Sequence, residues 1–155
     1  MTDIIPAPEL AGAVFKQTST FATALARNNG DGSFTLVSLP AQAQLAPVYG
    51  LLVTDVDEDG KPDLLLAGNF DGVQPEIGRM SAAYGLLLRG DGTGNFTPVE
   101  AAQSGLFVPG QARDIGRVRT PRGVVYVVAR NNDRSLVFRA TPRRRLLAAA
   151  GAASH

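Results

Sequence analysis

The sequence predicts an all-β protein made of stacked, antiparallel, four-stranded units, and three observations lead to this prediction. The 155 residues include 17 Gly and 10 Pro, a composition rich in turn formers that favours short strands over helices. Short apolar runs alternate with Gly- and Asp-rich turns along the chain. A segment near the N-terminus recurs in the middle of the sequence, as expected of a chain that repeats one supersecondary unit.

The recurring segment consists of an apolar run, an Arg, a Gly- and Asp-rich turn, and then Phe-Thr-x-Val. It first occurs at 25–37, and Phe34 there corresponds to Phe96 in the second copy, an offset of 62 residues. The same offset relates Asn69 to Asn131. One unbroken offset over this length favours duplication, and we expect both phenylalanines to pack in the cores of their units.

One complete unit is predicted over 47–102. Its four strands are expected at 48–55, 63–69, 83–89 and 95–100. The second strand is almost wholly apolar, which is typical of a strand near the centre of an assembly. The turn at 90–94 is interpreted as a hairpin turn, because it lacks dinucleotide-binding spacing and no helix follows it.

Two incomplete units flank the complete one. The first covers 18–46 with strands near 21–27 and 33–39, and the last covers 110–140 with strands near 112–119, 124–129 and 136–140. Together 18–140 form the folded segment. The Pro- and Ala-rich segment 1–17 is expected to be irregular, and the basic, Ala-rich tail 141–155 to be frayed or a short helix.

The connection between the first two strands of the complete unit is strongly acidic. The predicted calcium ligands are the carboxylates of Asp55, Asp57, Asp59 and Asp63 and the backbone carbonyl of Lys61. Gly60 supplies the tight turn. The loop is not an EF-hand, because its twelfth position is Leu66 instead of a bidentate Glu and strand-like sequence flanks it.

The alternative is an Asp- and Gly-rich turn that holds no ion. Calcium is favoured because carboxylates crowded into nine residues repel one another unless a cation neutralises them. At the 62-residue offset the four aspartates become Arg117, Arg119, Pro121 and Val125, which cannot hold a divalent cation. One structural calcium ion per chain is therefore expected, with no acid, base or nucleophile beside it.

The remaining composition excludes several mechanisms. The chain has no Cys, and its one His is the last residue, so thiolate and imidazole chemistry are not expected. No stretch is apolar enough to span a membrane, and the N-terminal residues lack the pattern of a signal peptide.

Charge is divided unevenly along the chain. Residues 1–112 carry 5 Lys and Arg against 12 Asp and Glu, whereas 113–155 carry 10 Arg against 2 Asp. Arg117 and Arg119 are candidate contacts for an anionic partner, although a solvated or inter-unit face is favoured. Nucleic acid is not favoured, since no aromatic residues interleave with the arginines.

The acidic loop and its strand, DVDEDGKPDLLLAGN, followed by GDGTGNFTPV, resemble the FG-GAP or VCBS repeat of integrin-like β-propellers. The match covers 21–139 and is similar to the C-terminal end of large bacterial VCBS-repeat proteins. The resemblance implies propeller-type blades, one complete and two partial, with calcium at the five positions named above. It also implies an extracellular or periplasmic location.

A closed propeller needs about 4–8 blades, more than this chain supplies. The chain is a fragment of a larger propeller, a protomer that builds a ring with its copies, or a small stack of its own; fragment origin with self-association is favoured. The expected function is a non-catalytic calcium-binding interaction or scaffold module that contacts a protein, a glycan or its own copies. The rival is a fragment of a polysaccharide-acting lyase or hydrolase using Asp71, Glu76 and Arg79 of the long loop.

Overall fold

Nine strands form three antiparallel sheets in the computed structural model, which describes residues 12–14, 16–73, 76 and 78–140. The first sheet contains β1 (Ala24–Asn28) and β2 (Phe34–Ser38); the second β3 (Val48–Thr54), β4 (Asp63–Gly68), β5 (Leu86–Gly90) and β6 (Phe96–Val99); the third β7 (Ala112–Thr120), β8 (Gly123–Arg130) and β9 (Leu136–Arg139). A 3-10 turn spans Ala41–Gln44, and a short helix, α1, spans Ala101–Ser104.

The predicted all-β class is confirmed, with sheets of two, four and three strands in chain order. None of the sheets in the described part of the chain closes on itself. The largest difference in strand bounds is at β5, which begins at Leu86 instead of residue 83. Gly85 has a φ of 82°, a left-handed conformation that interrupts an extended strand. Most of the predicted segment 1–17 and the whole tail 141–155 lie outside the described residues.

The first core lies between the second and third sheets. Leu65 and Leu87 are directly paired on β4 and β5, and they pack with Tyr126 and Val128 of β8. Val128 is fully buried, and Tyr126 is 5% exposed. The predicted central strand β4 is buried along its whole length, since it carries a core on each face.

The second core lies between the first and second sheets. Leu66 and Leu88 are on the opposite face of the second sheet and pack with Leu39, and Leu25 of β1 is packed against this cluster. Leu88 is fully buried. The three sheets are therefore stacked in chain order, each covering part of the next.

The turn between β5 and β6 is the predicted hairpin turn. The Asp91 carboxylate accepts hydrogen bonds from the backbone N–H of Thr93 at 2.7 Å and from the Asn95 side-chain amide at 2.8 Å. These hydrogen bonds, that from Asn95 foremost, hold the pKa of Asp91 well below its ordinary value. Asp31 occupies the corresponding place in the first hairpin, and its hydrogen bonds with Ser33 lower its pKa in the same direction.

The single offset of 62 residues does not extend to every strand. Leu51 pairs with Leu66 just after a β-bulge, and Ile115 pairs with Val128 just after the equivalent bulge of the third sheet. The offset is 62 residues between Leu66 and Val128 but 64 between Leu51 and Ile115. By strand register, the counterpart of Asp55 is therefore Arg119 instead of Arg117.

The difference of two residues is absorbed in the connection between β7 and β8. Residues 121–122 alone join these strands, whereas 55–62 join β3 and β4. A connection of two residues is a tight hairpin turn that cannot wrap around an ion, and residues 117–125 contain no carboxylate.

The prediction that Phe34 packs in a core is wrong. Its side chain is 62% exposed, while Phe96 is half-buried and packed against the second core. Phe34 and its neighbour Leu36, also 62% exposed, belong to strand β2 of the first sheet. Phe96 is covered because the first sheet precedes its own sheet, and no described sheet precedes Phe34.

Candidate metal centre

Three of the predicted carboxylates converge at the end of the second sheet. Asp55, Asp57 and Asp63 each offer one oxygen within 4.8 Å of the others. Oxygens on opposite sides of a calcium ion are about 5 Å apart, since calcium–oxygen distances are roughly 2.3–2.6 Å. The three oxygens are therefore spaced so that one ion could bind all of them.

Asp63 is the rigid member of this group. It is the first residue of β4 and only 1% exposed. Its Oδ2 accepts a hydrogen bond from the backbone N–H of Val56 at 2.9 Å, and its Oδ1 accepts one from Gly90 at 3.0 Å. One carboxylate thus ties the start of the acidic loop to the end of β5.

Asp55 shapes the other side of the loop. Its two carboxylate oxygens accept hydrogen bonds from the backbone N–H groups of Asp59 at 3.1 Å and Gly60 at 2.9 Å. The chain turns back on itself here, with Glu58 at a φ of 62° and Gly60 at 85°. The loop is thus folded around Asp55 by its own backbone.

Asp57 is the unusual member of the group. Both of its carboxylate oxygens are buried, and neither accepts a hydrogen bond from the described residues. Arg89 Nε lies 3.2 Å from Asp57 Oδ2, but this ion pair lacks hydrogen-bond geometry. Buried polar atoms are nearly always hydrogen-bonded, so two unpartnered carboxylate oxygens require an explanation such as an ion.

Asp59 and Lys61 are not in the converging group. The Asp59 Oδ1 accepts a hydrogen bond from the backbone N–H of Lys61 at 2.9 Å, and its Oδ2 lies 4.0 Å from Lys61 Nζ. Both side chains are exposed. The local turn therefore occupies the Asp59 carboxylate, and its role as a ligand stays a prediction.

The donor set fits a hard cation. All three converging side chains supply carboxylate oxygen, the ligand type that calcium and magnesium prefer, and no nitrogen or sulfur donor belongs to the group. Oxygens that accept one backbone hydrogen bond keep a lone pair for a metal. The identity of the ion does not follow from these three ligands alone.

We expect Gly60→Ala to destabilise the protein by about 1 kcal/mol. No atom lies within 4 Å of the added Cβ, so the cost arises from the left-handed φ of 85° and not from a clash. Urea-induced unfolding measures it. Gly116→Ala is the control, because its site is equally open and lacks a positive φ. Equal effects of the two substitutions would contradict the conformational explanation.

The long loop does not bring its predicted residues together. Asp71 is half-buried and its Oδ1 has no partner among the described residues, while Glu76 and Arg79 are exposed. Phe70 and Met80 close the base of the loop with a pair of 2.9 Å backbone hydrogen bonds. Within the described part of this loop, no hydrogen bond or ion pair joins Asp71, Glu76 and Arg79.

The two predicted arginines have different surroundings. Arg117 faces Asp55 and Glu58 across a cleft, and Arg119 does not line this cleft. Sequence reasoning missed the contact of Arg89 with Asp57. The only signal for it was that Arg89 ends the third strand of the same sheet, and strand pairing was needed to place that end beside the acidic loop.

Comparison of the chain with known protein families, with curated proteins and with solved structures finds no match. None of the helices in the described ranges is long and apolar enough to cross a membrane.

Proposed function

We propose that this chain is a non-catalytic, calcium-binding interaction and scaffold module, built as an incomplete β-propeller of one full and two partial blades. The observation that carries the proposal is the pair of buried, unpartnered oxygens of Asp57 beside Asp55 and Asp63. The three stacked sheets of two, four and three strands support the blade architecture.

Calcium would stabilise this module by neutralising the loop and joining its two ends. Asp55 follows β3, and Asp63 begins β4, so one ion bound by both would hold the connection in its folded form. Calcium at about 100 times its dissociation constant adds ~2.7 kcal/mol of stability. For a chain of this size we expect the melting temperature to rise by roughly 5–10 °C.

We expect wild-type protein to bind calcium with a 1:1 isotherm and Asp57→Asn to lose both the isotherm and the thermal shift. Without calcium, Asp57→Asn should keep wild-type stability or exceed it, because its carboxylate accepts no hydrogen bond and sits among like charges. Titration calorimetry and thermal unfolding in calcium and in chelator measure both effects. Asp59→Asn is the control and should keep the isotherm. Absence of any calcium-dependent thermal shift in wild type would remove the metal from the proposal.

Self-association is the second part of the proposed function. The outer face of the first sheet exposes Phe34 and Leu36, and the third sheet exposes Val118 at 46% and Val137 at 64%. Exposed apolar sheet faces at both ends of a stack favour association with further sheets. The acidic first part and basic last part of the chain suit contact between the unlike ends of two copies.

We expect the light-scattering mass of the protein to rise with concentration, and Val137→Glu to lower it towards that of the single chain. A charge placed on this face opposes the burial of an apolar contact. Val14→Glu is the matched control, because Val14 is 81% exposed and lies outside the sheets. A mass of one chain at every concentration would contradict self-association.

The alternative of a polysaccharide-acting lyase or hydrolase rests on Asp71, Glu76 and Arg79. In that case Glu76→Gln would abolish turnover in a screen of polysaccharides. Turnover that is absent in wild type, or unchanged in this variant, would remove that alternative.

A further inference from the structure

A cleft separates the acidic loop from the third sheet. It has a volume of about 380 Å³ and is lined by Asp55 and Glu58 on one wall and by Arg117, Arg122 and Arg139 on the other. The arginines come from β7, the β7–β8 turn and β9 respectively. Three cations from distant chain positions thus meet at one opening.

These three arginines are uncommitted. All are exposed, and among the described residues none donates a side-chain hydrogen bond or lies within 4 Å of a carboxylate. Arg130 of the same sheet is different, since it pairs with Asp133 at 2.7 Å and donates to the Pro109 carbonyl at 3.1 Å. Structural arginines of this sheet therefore have partners, and those of the cleft have none.

The charge of the cleft favours an anion. Its three arginines and two carboxylates sum to +1, and a divalent cation bound at the loop would raise this to +3. An anion in the cleft and a cation in the loop would then strengthen each other's binding, because coupling between two sites is reciprocal.

The ligand must also be rich in oxygen acceptors. Each guanidinium offers five N–H donors and no acceptor, and one carboxylate satisfies only the two donors of a bidentate pair. The volume is that of a small-molecule site. A sugar acid combines a carboxylate with several hydroxyl oxygens, whereas an acidic peptide side chain offers only its two oxygens.

We propose that this cleft binds a uronic acid unit, with the carboxylate held by Arg117 and Arg139 and the hydroxyl oxygens by the remaining donors. The proposal deepens the interaction function proposed above and rests on it only for the contribution of calcium. The arginine contacts are made by the third sheet alone.

The test is calorimetric titration with D-galacturonate, its dimer and D-galactose, each in saturating calcium and in chelator. The uronates should bind and galactose should not, and calcium should tighten uronate binding on the order of fivefold. Arg117→Ala and Arg139→Gln should each weaken binding tenfold or more without changing the melting temperature. Arg119→Ala, on the same strand but outside the cleft, should leave binding unchanged.

Equal binding of galactose and galacturonate would overturn the proposal, as would uronate affinity that is insensitive to both arginine substitutions. Tighter binding of a di-glutamate peptide than of the uronate dimer would overturn it in favour of a peptide ligand. A calcium isotherm without uronate binding removes the cleft ligand alone. Uronate binding that depends on the arginines, in a protein that does not bind calcium, removes the metal alone.

Discussion

Asp63→Ala is expected to destabilise the protein by about 3 kcal/mol in the absence of calcium. The substitution leaves the backbone N–H groups of Val56 and Gly90 without their acceptor. Each buried donor left unsatisfied costs about 1–3 kcal/mol, and relief of repulsion among the neighbouring carboxylates offsets part of the loss. Because Asp63 is 1% exposed, water cannot replace the lost acceptor without rearrangement.

Saturating calcium should widen this difference. The wild type gains the free energy of calcium binding and Asp63→Ala does not, so at about 100 times the dissociation constant the gap grows by a further ~2.7 kcal/mol. Urea-induced unfolding in chelator and in calcium measures both quantities. Asp59→Ala is the control and should cost no more than about 1 kcal/mol, since its carboxylate is exposed. An identical cost of Asp63→Ala in both buffers would show that calcium does not use this residue.

Gly90→Ala is expected to cost about 3 kcal/mol and to weaken calcium binding. A Cβ at this position would lie 2.0 Å from the carbonyl oxygen of Pro62, which is backbone and cannot rotate away. Relief of such overpacking requires a backbone shift that costs roughly 1–3 kcal/mol or more. The shift would also separate the Gly90 N–H from Asp63, which is 3.0 Å away. Stability and metal affinity should therefore fall together.

Gly116→Ala is the matched control for this prediction. Gly116 lies within β7, no atom lies within 4 Å of the added Cβ, and its φ is not positive. Its replacement should change the free energy of unfolding by less than about 1 kcal/mol, in the stabilising direction if the unfolded chain loses entropy. Urea-induced unfolding and calcium titration of both variants provide the comparison. A loss of stability without a loss of calcium affinity in Gly90→Ala would separate the strand contact from the metal loop.

The unpartnered Asp57 and the well-bonded Asp63 have different consequences within one site. Asp63 has its hydrogen bonds whether or not an ion is present, so it serves the fold first. The two oxygens of Asp57 have no hydrogen-bond donor among the described residues, and the nearest cation is Arg89 at 3.2 Å. The contrast between Asp57→Asn and Asp63→Ala in chelator therefore distinguishes ion binding from structural support.

Much of the fold could be predicted from local pattern. The nine strands lie close to the predicted positions because apolar runs and Gly- or Asp-rich turns act over a few residues. The two short helical segments were missed, since Ala41–Gln44 and Ala101–Ser104 each contain only four residues. Four residues are too few to show a helical period.

The acidic loop shows the limit of such reasoning. Asp59 and Asp57 are alike in the sequence, two positions apart in a run of carboxylates. In the structure Asp59 caps the backbone N–H of Lys61, whereas Asp57 is buried beside Asp55 and Asp63. Short acidic side chains compete for nearby backbone donors, and the turn conformation decides which carboxylate is left over.

The sequence by itself determined the all-β class, the order of strands and turns, and the place of the acidic loop between β3 and β4, because these depend on neighbours along the chain. Only the tertiary structure decided which carboxylates converge, that Arg89 reaches Asp57, and that Phe34 is exposed. It alone placed Arg117 and Arg139 opposite the loop. These features depend on strand register and sheet stacking, which join residues far apart in sequence, and a shift of two residues between β3 and β7 already changes the correspondence.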